Sequence, residues 1–285
     1  MIDVKPPQPK KGVLILALGS TTYVKYALNL AVSIRKTSPN IPVCLVHNGN
    51  IHILEPSQKF FFNRLIECPS EYYTTDGKIS YIKAKLYLDK LTPYDKTLFL
   101  DADTLVSPYK SVISLFEKCE GNDFVMVCRG ENKDSSEWVN KDEVMKAFEL
   151  EKWYDCSSEV MYFEKTNVFD DARNINKAFE QGSFYYRQFA GGVPDEASLV
   201  TAMLVNHGTP KFVPFKPTFW EAAEKSFVKS EEIFTTFELL SVGGNRVSKH
   251  IENIYNLLIK WYKSNTGCNT FTYESKMRLQ ERRTV

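Results

Sequence analysis

Two short apolar segments separated by a helical stripe predict that the chain begins with a β-α-β unit. The segments are residues 13–18 and 42–47, and turn-forming residues follow each of them. Between them, apolar side chains recur at helical spacing from Tyr23 to Ile34. Because parallel strands need a crossover connection, this pattern predicts an α/β fold with helices covering a sheet. The loop at residues 19–22 is then expected at the carboxyl edge of the sheet and at a helix N-terminus, where exposed N–H groups bind anions.

A third apolar segment, residues 97–106, reads TLFLDADTLV and predicts a buried strand that ends in Asp101 and Asp103. In an extended chain, side chains at i and i+2 leave on the same side, so the two carboxylates would repel each other without a cation between them. Carboxylate oxygens suit Mg²⁺ or Mn²⁺. The alternative is that each aspartate is only a turn or cap residue after a strand.

Further apolar patterns predict the remaining helices and strands. Helices are expected at residues 59–68, 81–91, 112–117, 168–179, from 195 onward and at 247–262. Strands are expected at residues 123–128, 159–163 and 211–215. Residues 129–154 are polar and weakly periodic, which is typical of a long surface excursion that carries substrate contacts.

Composition narrows the classes of ligand. Hydrophobic residues make up 43% and charged residues 25% of the chain, as in globular proteins rather than disordered ones. The 36 Lys and Arg residues balance the 35 Asp and Glu residues, so no global field recruits nucleic acid or an anionic membrane. An anionic ligand must therefore be held by local groups.

The six cysteines and the absence of a long apolar stretch predict an intracellular, cytoplasmic protein with reduced thiols. No C-x-x-C pair occurs, which argues against a zinc site, and several cysteines lie inside predicted strands, which argues against a disulfide framework. No segment reaches the roughly 20 apolar residues of a membrane span. Residues 1–11 are polar and proline-rich and predict a flexible tail.

Two predicted helix entries carry residues that could bind or react. Asp195 and Glu196 follow Pro194 at the start of one helix, where Asp195 is explained equally well as an N-cap or as a catalytic group. The Gly243-Gly244-Asn245 stretch before the C-terminal helix is explained either as a phosphate cradle or as an ordinary cap. Lys249 and His250 follow it within the first turns.

Residues 84–106, AKLYLDKLTPYDKTLFLDADTLV, resemble the lysine-bearing helix, connector and metal-binding Asp-x-Asp strand of the glycogenin-like glycosyltransferases of family 8. That family has the GT-A nucleotide-sugar fold, a Rossmann-like mixed sheet flanked by helices. Tyr23 after the first strand, and Asp195-Glu196 where the family usually has Asp-Gln, agree in order. The resemblance covers residues 12–220. It implies one GT-A domain there, preceded by the tail at 1–11 and followed by a C-terminal helical extension at 221–285 that packs on the same domain.

The resemblance implies a donor site for a UDP-sugar. Asp101 and Asp103 would bind Mn²⁺, or Mg²⁺, bridging the diphosphate, and Lys85 would neutralise charge on the donor. Tyr23 would stack on the uracil beside the loop that begins at Ala17.

The resemblance also implies catalytic residues. Asp195 and Glu196 would lie near the sugar and the acceptor, and the family retains the anomeric configuration. A C-terminal His-x-x-Gly-x-x-Lys-Pro-Trp segment that completes the family's site is not recognisable. Gly243, Gly244 and Lys249 could replace its diphosphate contacts, and His250 its metal ligand.

The expected function is metal-dependent transfer of a hexose from a UDP-sugar to a sugar, glycan or protein acceptor. Ser157-Ser158-Glu159 stands where the family has Asn-Ser-Gly, so a non-catalytic nucleotide-sugar or carbohydrate-binding module on the same fold is the alternative. A nucleotidyltransferase would need a glycine-rich loop after the first strand, and residues 19–22 contain one glycine. No pattern indicates an oligomeric state.

Overall fold

The computed structural model of the protein describes residues 10–131, 139–184, 186–187, 192–207, 234–241 and 249–272. The strands are β1 Lys11–Ala17, β2 Val43–His47, β3 Arg64–Glu67, β4 Thr74–Thr75, β5 Lys78–Ile79, β6 Lys96–Asp101, β7 Thr104–Val106, β8 Phe124–Glu131, β9 Tyr154–Phe163 and β10 Leu239–Ser241. The helices are α1 Thr21–Thr37, α2 Pro56–Lys59, α3 Leu88–Leu91, α4 Val112–Cys119, α5 Lys141–Ala147, α6 Val168–Glu180, α7 Asp195–His207 and α8 Lys249–Thr266. Short 3-10 helices lie at Asn50–Ile53, Ser70–Tyr72 and Tyr81–Tyr87.

The main sheet is mixed and has the strand order β3-β2-β1-β6-β9-β8. β2 pairs with β3 in parallel, and β8 pairs with β9 antiparallel. The apolar residues of β1, β2 and β6 are buried, as expected for strands covered by helices on both faces. This architecture confirms the predicted α/β fold with a mixed sheet flanked by helices.

The β-α-β unit at the start of the chain follows the predicted pattern. The Ser20 hydroxyl accepts a hydrogen bond from the Thr22 N–H and so caps α1, which ends where the Ser38 N–H bonds to the Ile34 carbonyl. The stripe from Ala27 to Ile34 is buried. The sequence period therefore located this helix to within one turn at each end.

Contacts between Cα atoms divide the chain into two units with interleaved segments. Unit 1 comprises Met1–Leu14, Cys68–Phe99 and Gly121–Phe212. Unit 2 comprises Ile15–Glu67, Leu100–Glu120 and Val213–Val285. The domain boundaries expected near residues 12 and 220 stay a prediction.

Unit 1 contains the antiparallel pair of β8 and β9. Helix α7 packs against β9, and α6 packs against α7. The predicted apolar stripe of α6 is buried, and its Phe169 contacts the rings of Phe124 and Phe163 edge to face. The predicted helix at residues 81–91 is confirmed, although most of its length is not α-helical. It is a 3-10 helix at Tyr81–Tyr87, and α3 follows.

Unit 2 contains the largest error of element type. Residues 59–68 were expected to form a helix, but α2 ends at Lys59 and β3 occupies Arg64–Glu67. Asn63 explains the difference, because its N–H donates to the Val43 carbonyl and its side-chain oxygen accepts from the Val43 N–H. This contact, twenty residues apart in sequence, aligns the segment beside β2. A local pattern of apolar residues cannot predict this contact between Asn63 and Val43.

A short antiparallel pair in unit 2, β7 with β10, was not predicted. The Val106 N–H donates to the Ser33 hydroxyl from α1, and its carbonyl accepts from the Tyr262 hydroxyl of α8. Tyr262 is fully buried, and burial raises the pKa of its hydroxyl. Both helices are thereby tied to the strand that follows Asp103.

Some predicted elements lie outside the described residues. These are the strand at 211–215 and the Gly243-Gly244-Asn245 entry to the last helix. In the part of the chain that the structure does describe, no helix has the length and hydropathy needed to cross a membrane.

The Tyr262→Phe substitution removes the donor that satisfies the buried Val106 carbonyl. We expect the free energy of unfolding to fall by about 1–2 kcal/mol, because a buried acceptor loses its partner. Urea denaturation followed by circular dichroism measures the loss. Tyr109→Phe, at a tyrosine that is 70% exposed, is the matched control and should change stability little. Equal stability of the two variants would contradict the anchoring role of Tyr262.

Candidate functional site

A buried polar cluster in unit 1 brings together three side chains from distant parts of the chain. Lys85 lies on the 3-10 helix Tyr81–Tyr87, and its ammonium donates to the Ser158 hydroxyl of β9 at 3.1 Å. It lies 3.9 Å from Oδ2 of Asp195, in the first turn of α7. It also lies 5.6 Å from the centre of the Phe99 ring, on whose face a cation is favoured. The side chains of Lys85 and Asp195 are only 13% and 3% exposed, so this is a buried ion pair.

The irregular pairing of β8 with β9 presents Ser158 to the lysine. Val127 pairs with Ser157 and Met126 pairs with Met161, so residues 158–160 of β9 have no partner residue on β8. Such a bulge bends the strand and changes the direction of its side chains. Ser158 is 1% exposed within it, and its N–H donates a long hydrogen bond, 3.5 Å, to Oε1 of Glu196. The bulge is therefore linked to the first turn of α7.

The first turn of α7 concentrates negative charge. Asp195 and Glu196 are adjacent there, where the partial positive charge of the helix N-terminus favours carboxylates. Oδ2 of Asp195 is buried without a hydrogen-bond partner among the described residues, and the lysine at 3.9 Å is too distant to donate one. A ligand hydroxyl could donate to this oxygen, while the ammonium of Lys85 could meet an anionic group. The structure thus brings together predicted Lys85, Asp195 and Glu196, and it adds Ser158.

In unit 2, the Asp-x-Asp motif lies at the end of β6, as predicted. Asp101 is the last residue of the strand, but Ala102 and Asp103 form a turn before β7. The expectation that both aspartates extend from one straight strand is therefore wrong, because the pairing of β7 with β10 turns the chain. Both aspartates are half-buried. Their convergence on a cation stays a prediction.

The donor set at this motif suits a hard cation that keeps other ligands. Among the described residues, no group of three or more His, Cys, Asp and Glu side chains could hold a metal ion. Two carboxylates match the way Mg²⁺ is held in proteins, by one or two carboxylates together with waters and substrate phosphates. The predicted third ligand, His250, is the second residue of α8, and its side chain is not described. The same holds for Lys249, and Gly243 and Gly244 lie outside the described residues.

The loop between β1 and α1 is held by two asparagines that the sequence did not single out. Asn48 accepts a hydrogen bond from the Gly19 N–H at 3.1 Å, and the Asn50 amide donates to the Ala17 carbonyl at 3.1 Å. Tyr23 follows in the first turn of α1 with 37% of its surface exposed. Its ring is accessible to solvent, and the predicted stacking on uracil stays a prediction. An asparagine-glycine-asparagine sequence directly after β2 was the signal that could have located this contact.

Comparison with known proteins supports the predicted fold and finds glycosyltransferases among the similar proteins. No model of a known protein family matches the chain. A UDP-glucuronate:xylan alpha-glucuronosyltransferase from Arabidopsis thaliana is 29% identical over 110 residues, which cover 37% of this chain and 18% of that protein. The chain therefore spans less than a fifth of that relative's length.

Solved structures of glycosyltransferases share the fold. The bifunctional glycosyltransferase WbbM matches with a TM-score of 0.57 at 14% identity, over 91% of this chain and 53% of that one. The galactosyltransferase LgtC, solved with donor and acceptor sugar analogues, matches with a TM-score of 0.56 at 12% identity, over 93% and 99% of the two chains. GlyE of Streptococcus pneumoniae matches with a TM-score of 0.51 at 12% identity, over 93% and 66%. The chain has the GT-A fold of these enzymes, as predicted.

The Lys85→Met substitution leaves the carboxylate of Asp195 buried without its cation. We expect a loss of about 3 kcal/mol or more in the free energy of unfolding at neutral pH, since breaking a buried pair leaves an uncompensated charge. Urea denaturation measures it. Adding Asp195→Asn should recover part of the loss.

The control for this pair is Lys90→Met. Lys90 is 51% exposed and pairs with Asp89 at 3.2 Å, so its loss should cost less than about 1 kcal/mol. If Lys85→Met proved no more costly than Lys90→Met, or if Asp195→Asn gave no recovery, the pair would not be the buried interaction described above.

Proposed function

We propose that the protein is a metal-dependent glycosyltransferase that transfers a hexose from a UDP-sugar to a sugar, glycan or protein acceptor with retention of configuration. The observation that carries the proposal is the buried Lys85–Asp195 pair with Ser158, in a chain with the GT-A fold. The Arabidopsis relative, by its name, uses UDP-glucuronate, which supports a UDP-sugar as the class of donor.

Lys85 has the charge that departure of a nucleoside diphosphate requires. Negative charge develops on the leaving oxygen, and a fixed ammonium stabilises it best where water is excluded. The Lys85 side chain is 13% exposed and is oriented by Ser158 and Asp195. No proton donor to the leaving group is then needed.

Asp101 and Asp103 are the residues proposed to hold Mn²⁺ or Mg²⁺. When bound, the cation acts as a Lewis acid that neutralises the diphosphate. The two carboxylates contribute hard oxygen ligands at the end of β6, and their negative charge would otherwise repel an anionic donor. His250 is proposed as a further ligand, with Gly243, Gly244 and Lys249 as contacts to the diphosphate.

Asp195 and Glu196 are proposed to act on the sugar. The anomeric carbon develops positive charge as the bond to phosphate breaks, and an adjacent carboxylate stabilises it. Oδ2 of Asp195 lacks a hydrogen-bond donor in the described part of the protein, so it can accept one from a sugar hydroxyl. The acceptor hydroxyl loses its proton to a base or to the departing phosphate.

Tyr23 and the loop after Ala17 are proposed to bind the nucleoside. The ring of Tyr23 is 37% exposed at the start of α1, and Asn48 and Asn50 hold the preceding loop. A base could stack on this ring.

The Asp103→Ala substitution tests the metal assignment. With Mn²⁺ and a panel of UDP-hexoses, we expect UDP release by the wild type and a loss of about 100-fold or more in the variant. Asp95→Ala is the matched control, because Asp95 is an exposed aspartate just before the other end of β6. It should keep activity within about twofold, as expected for a surface change.

The outcomes separate the candidate functions. Unchanged activity in Asp103→Ala would contradict the metal assignment. Retained binding of UDP with no turnover of any donor would instead identify a non-catalytic nucleotide-sugar-binding module. Nuclear magnetic resonance of the fresh product tests retention, since an inverted anomer would contradict it.

A further inference from the structure

Cys128 and Cys156 face each other directly across the β8–β9 pair. Their Cα atoms are register partners. The pairing is irregular on both sides of them, between Met126 and Val127 and between Cys128 and Gly130. Directly opposed residues of antiparallel strands have Cα atoms roughly 4.5–5.5 Å apart. A disulfide requires about 4.4–6.8 Å, so the backbone already has the spacing that a cross-strand bond needs.

The two thiols have different surroundings. Cys128 is partly exposed, whereas Cys156 is 7% exposed, and the two side chains are hydrogen-bonded to each other. The Gly130 N–H also donates to the sulfur of Cys128 at 3.2 Å. Hydrogen bonds to a sulfur favour its thiolate form. Cys128 is therefore the thiol of the pair that an oxidant reaches and that is prepared to attack.

The pKa directions agree with this assignment. The hydrogen bond from Cys156 lowers the pKa of the Cys128 thiol, with the Gly130 N–H adding to the effect, while burial and the charge of Asp155 oppose it. The pKa of Cys156 is raised, chiefly by its hydrogen bond to Cys128 and by burial, and further by the charges of Asp155 and Glu196. A partly exposed thiol with a lowered pKa beside a resolving thiol is the arrangement of a redox-sensitive pair.

The other four cysteines lack this arrangement. Burial raises the pKa of Cys44 and Cys68 to about 12 and that of Cys119 to about 11. Cys268 is partly exposed, like Cys128, but burial raises its pKa. Cys268 is therefore a matched control, equal in class of exposure and opposite in the direction of the pKa shift.

We propose that Cys128 and Cys156 form an oxidation site for hydrogen peroxide, which closes to a reversible cross-strand disulfide. The Cys128 thiolate attacks one peroxide oxygen and becomes a sulfenic acid, releasing hydroxide. The Cys156 sulfur then attacks the Cys128 sulfur, its proton and the sulfenic hydroxyl leave as water, and the S–S bond forms. Overall, two thiols and one peroxide give one disulfide and two waters.

The position of the bond links it to the polar cluster. Cys156 lies two residues before Ser158, and the charge of Glu196 acts on Cys156. The disulfide would join β8 to β9 beside the bulge that presents Ser158 to Lys85. The chemistry of the pair does not depend on the proposed glycosyl transfer and is tested without it.

Peptide mapping of the full chain tests the pair. Reduced protein is treated with hydrogen peroxide, blocked with N-ethylmaleimide and digested without reductant. We expect one cross-linked peptide pair containing Cys128 and Cys156, which dithiothreitol removes. Before oxidation, iodoacetamide should modify Cys128 about tenfold faster than Cys268, because its thiolate fraction is larger.

Variants make the result decisive. In Cys156→Ser the cross-link should be lost, and Cys128 should be trapped as a sulfenic acid that reacts with dimedone. Cys268→Ser should form the disulfide as the wild type does. Circular dichroism of each variant verifies that it is folded. Peroxide treatment that leaves both thiols reduced, or that oxidises Cys268 before Cys128, would overturn the proposal.

Discussion

Burial of the Lys85 ammonium against the Asp195 carboxylate is the interaction on which the described polar cluster depends. Removing two charges from water is costly, and their attraction compensates for the cost only if other groups hold them in place. Here the 3-10 helix carries the lysine, the bulge of β9 carries Ser158, and the N-terminus of α7 carries the aspartate. None of the three side chains lies in the middle of a regular α-helix or a regularly paired strand. Together they hold the Lys85 ammonium in a site that is nearly closed to solvent.

The segment that carries Asp101 and Asp103 is held by a different device. Its following strand, β7, is only three residues long, and its backbone bonds to side chains as well as to β10. Ser33 and Tyr262 satisfy the N–H and carbonyl of Val106, so one residue is tied to both α1 and α8. A buried backbone group without a partner would cost about as much as a lost hydrogen bond. The turn at Ala102 and Asp103 thus connects β6 to β7, and β7 is held by these hydrogen bonds.

The irregular pairing of β8 with β9 positions both Ser158 and the Cys128–Cys156 pair. The inserted residues 158–160 turn Ser158 toward Lys85, and the residues just before them place Cys156 opposite Cys128. A regular ladder would have continued the pairing of Met126 with Met161 along both strands. Bulges of this kind disrupt the ladder locally, bend the strand and redirect its side chains. Two chemical features therefore derive from a single shift of register.

Elements with local signals could be predicted from the order of residues alone. The apolar periods of α1 and α6, the buried strands and the acidic end of β6 could be predicted because side-chain periodicity reflects burial on one face. Asp195 and Glu196 were candidates because they begin a predicted helix, and a family resemblance assigned roles to them and to Lys85. Long-range contacts in the fold add Ser158 to this group, pair residues 64–67 beside β2, and place Asp103 in a turn after the strand that ends at Asp101. These features depend on hydrogen bonds between residues far apart in the chain, and no local pattern of apolar residues encodes such partners.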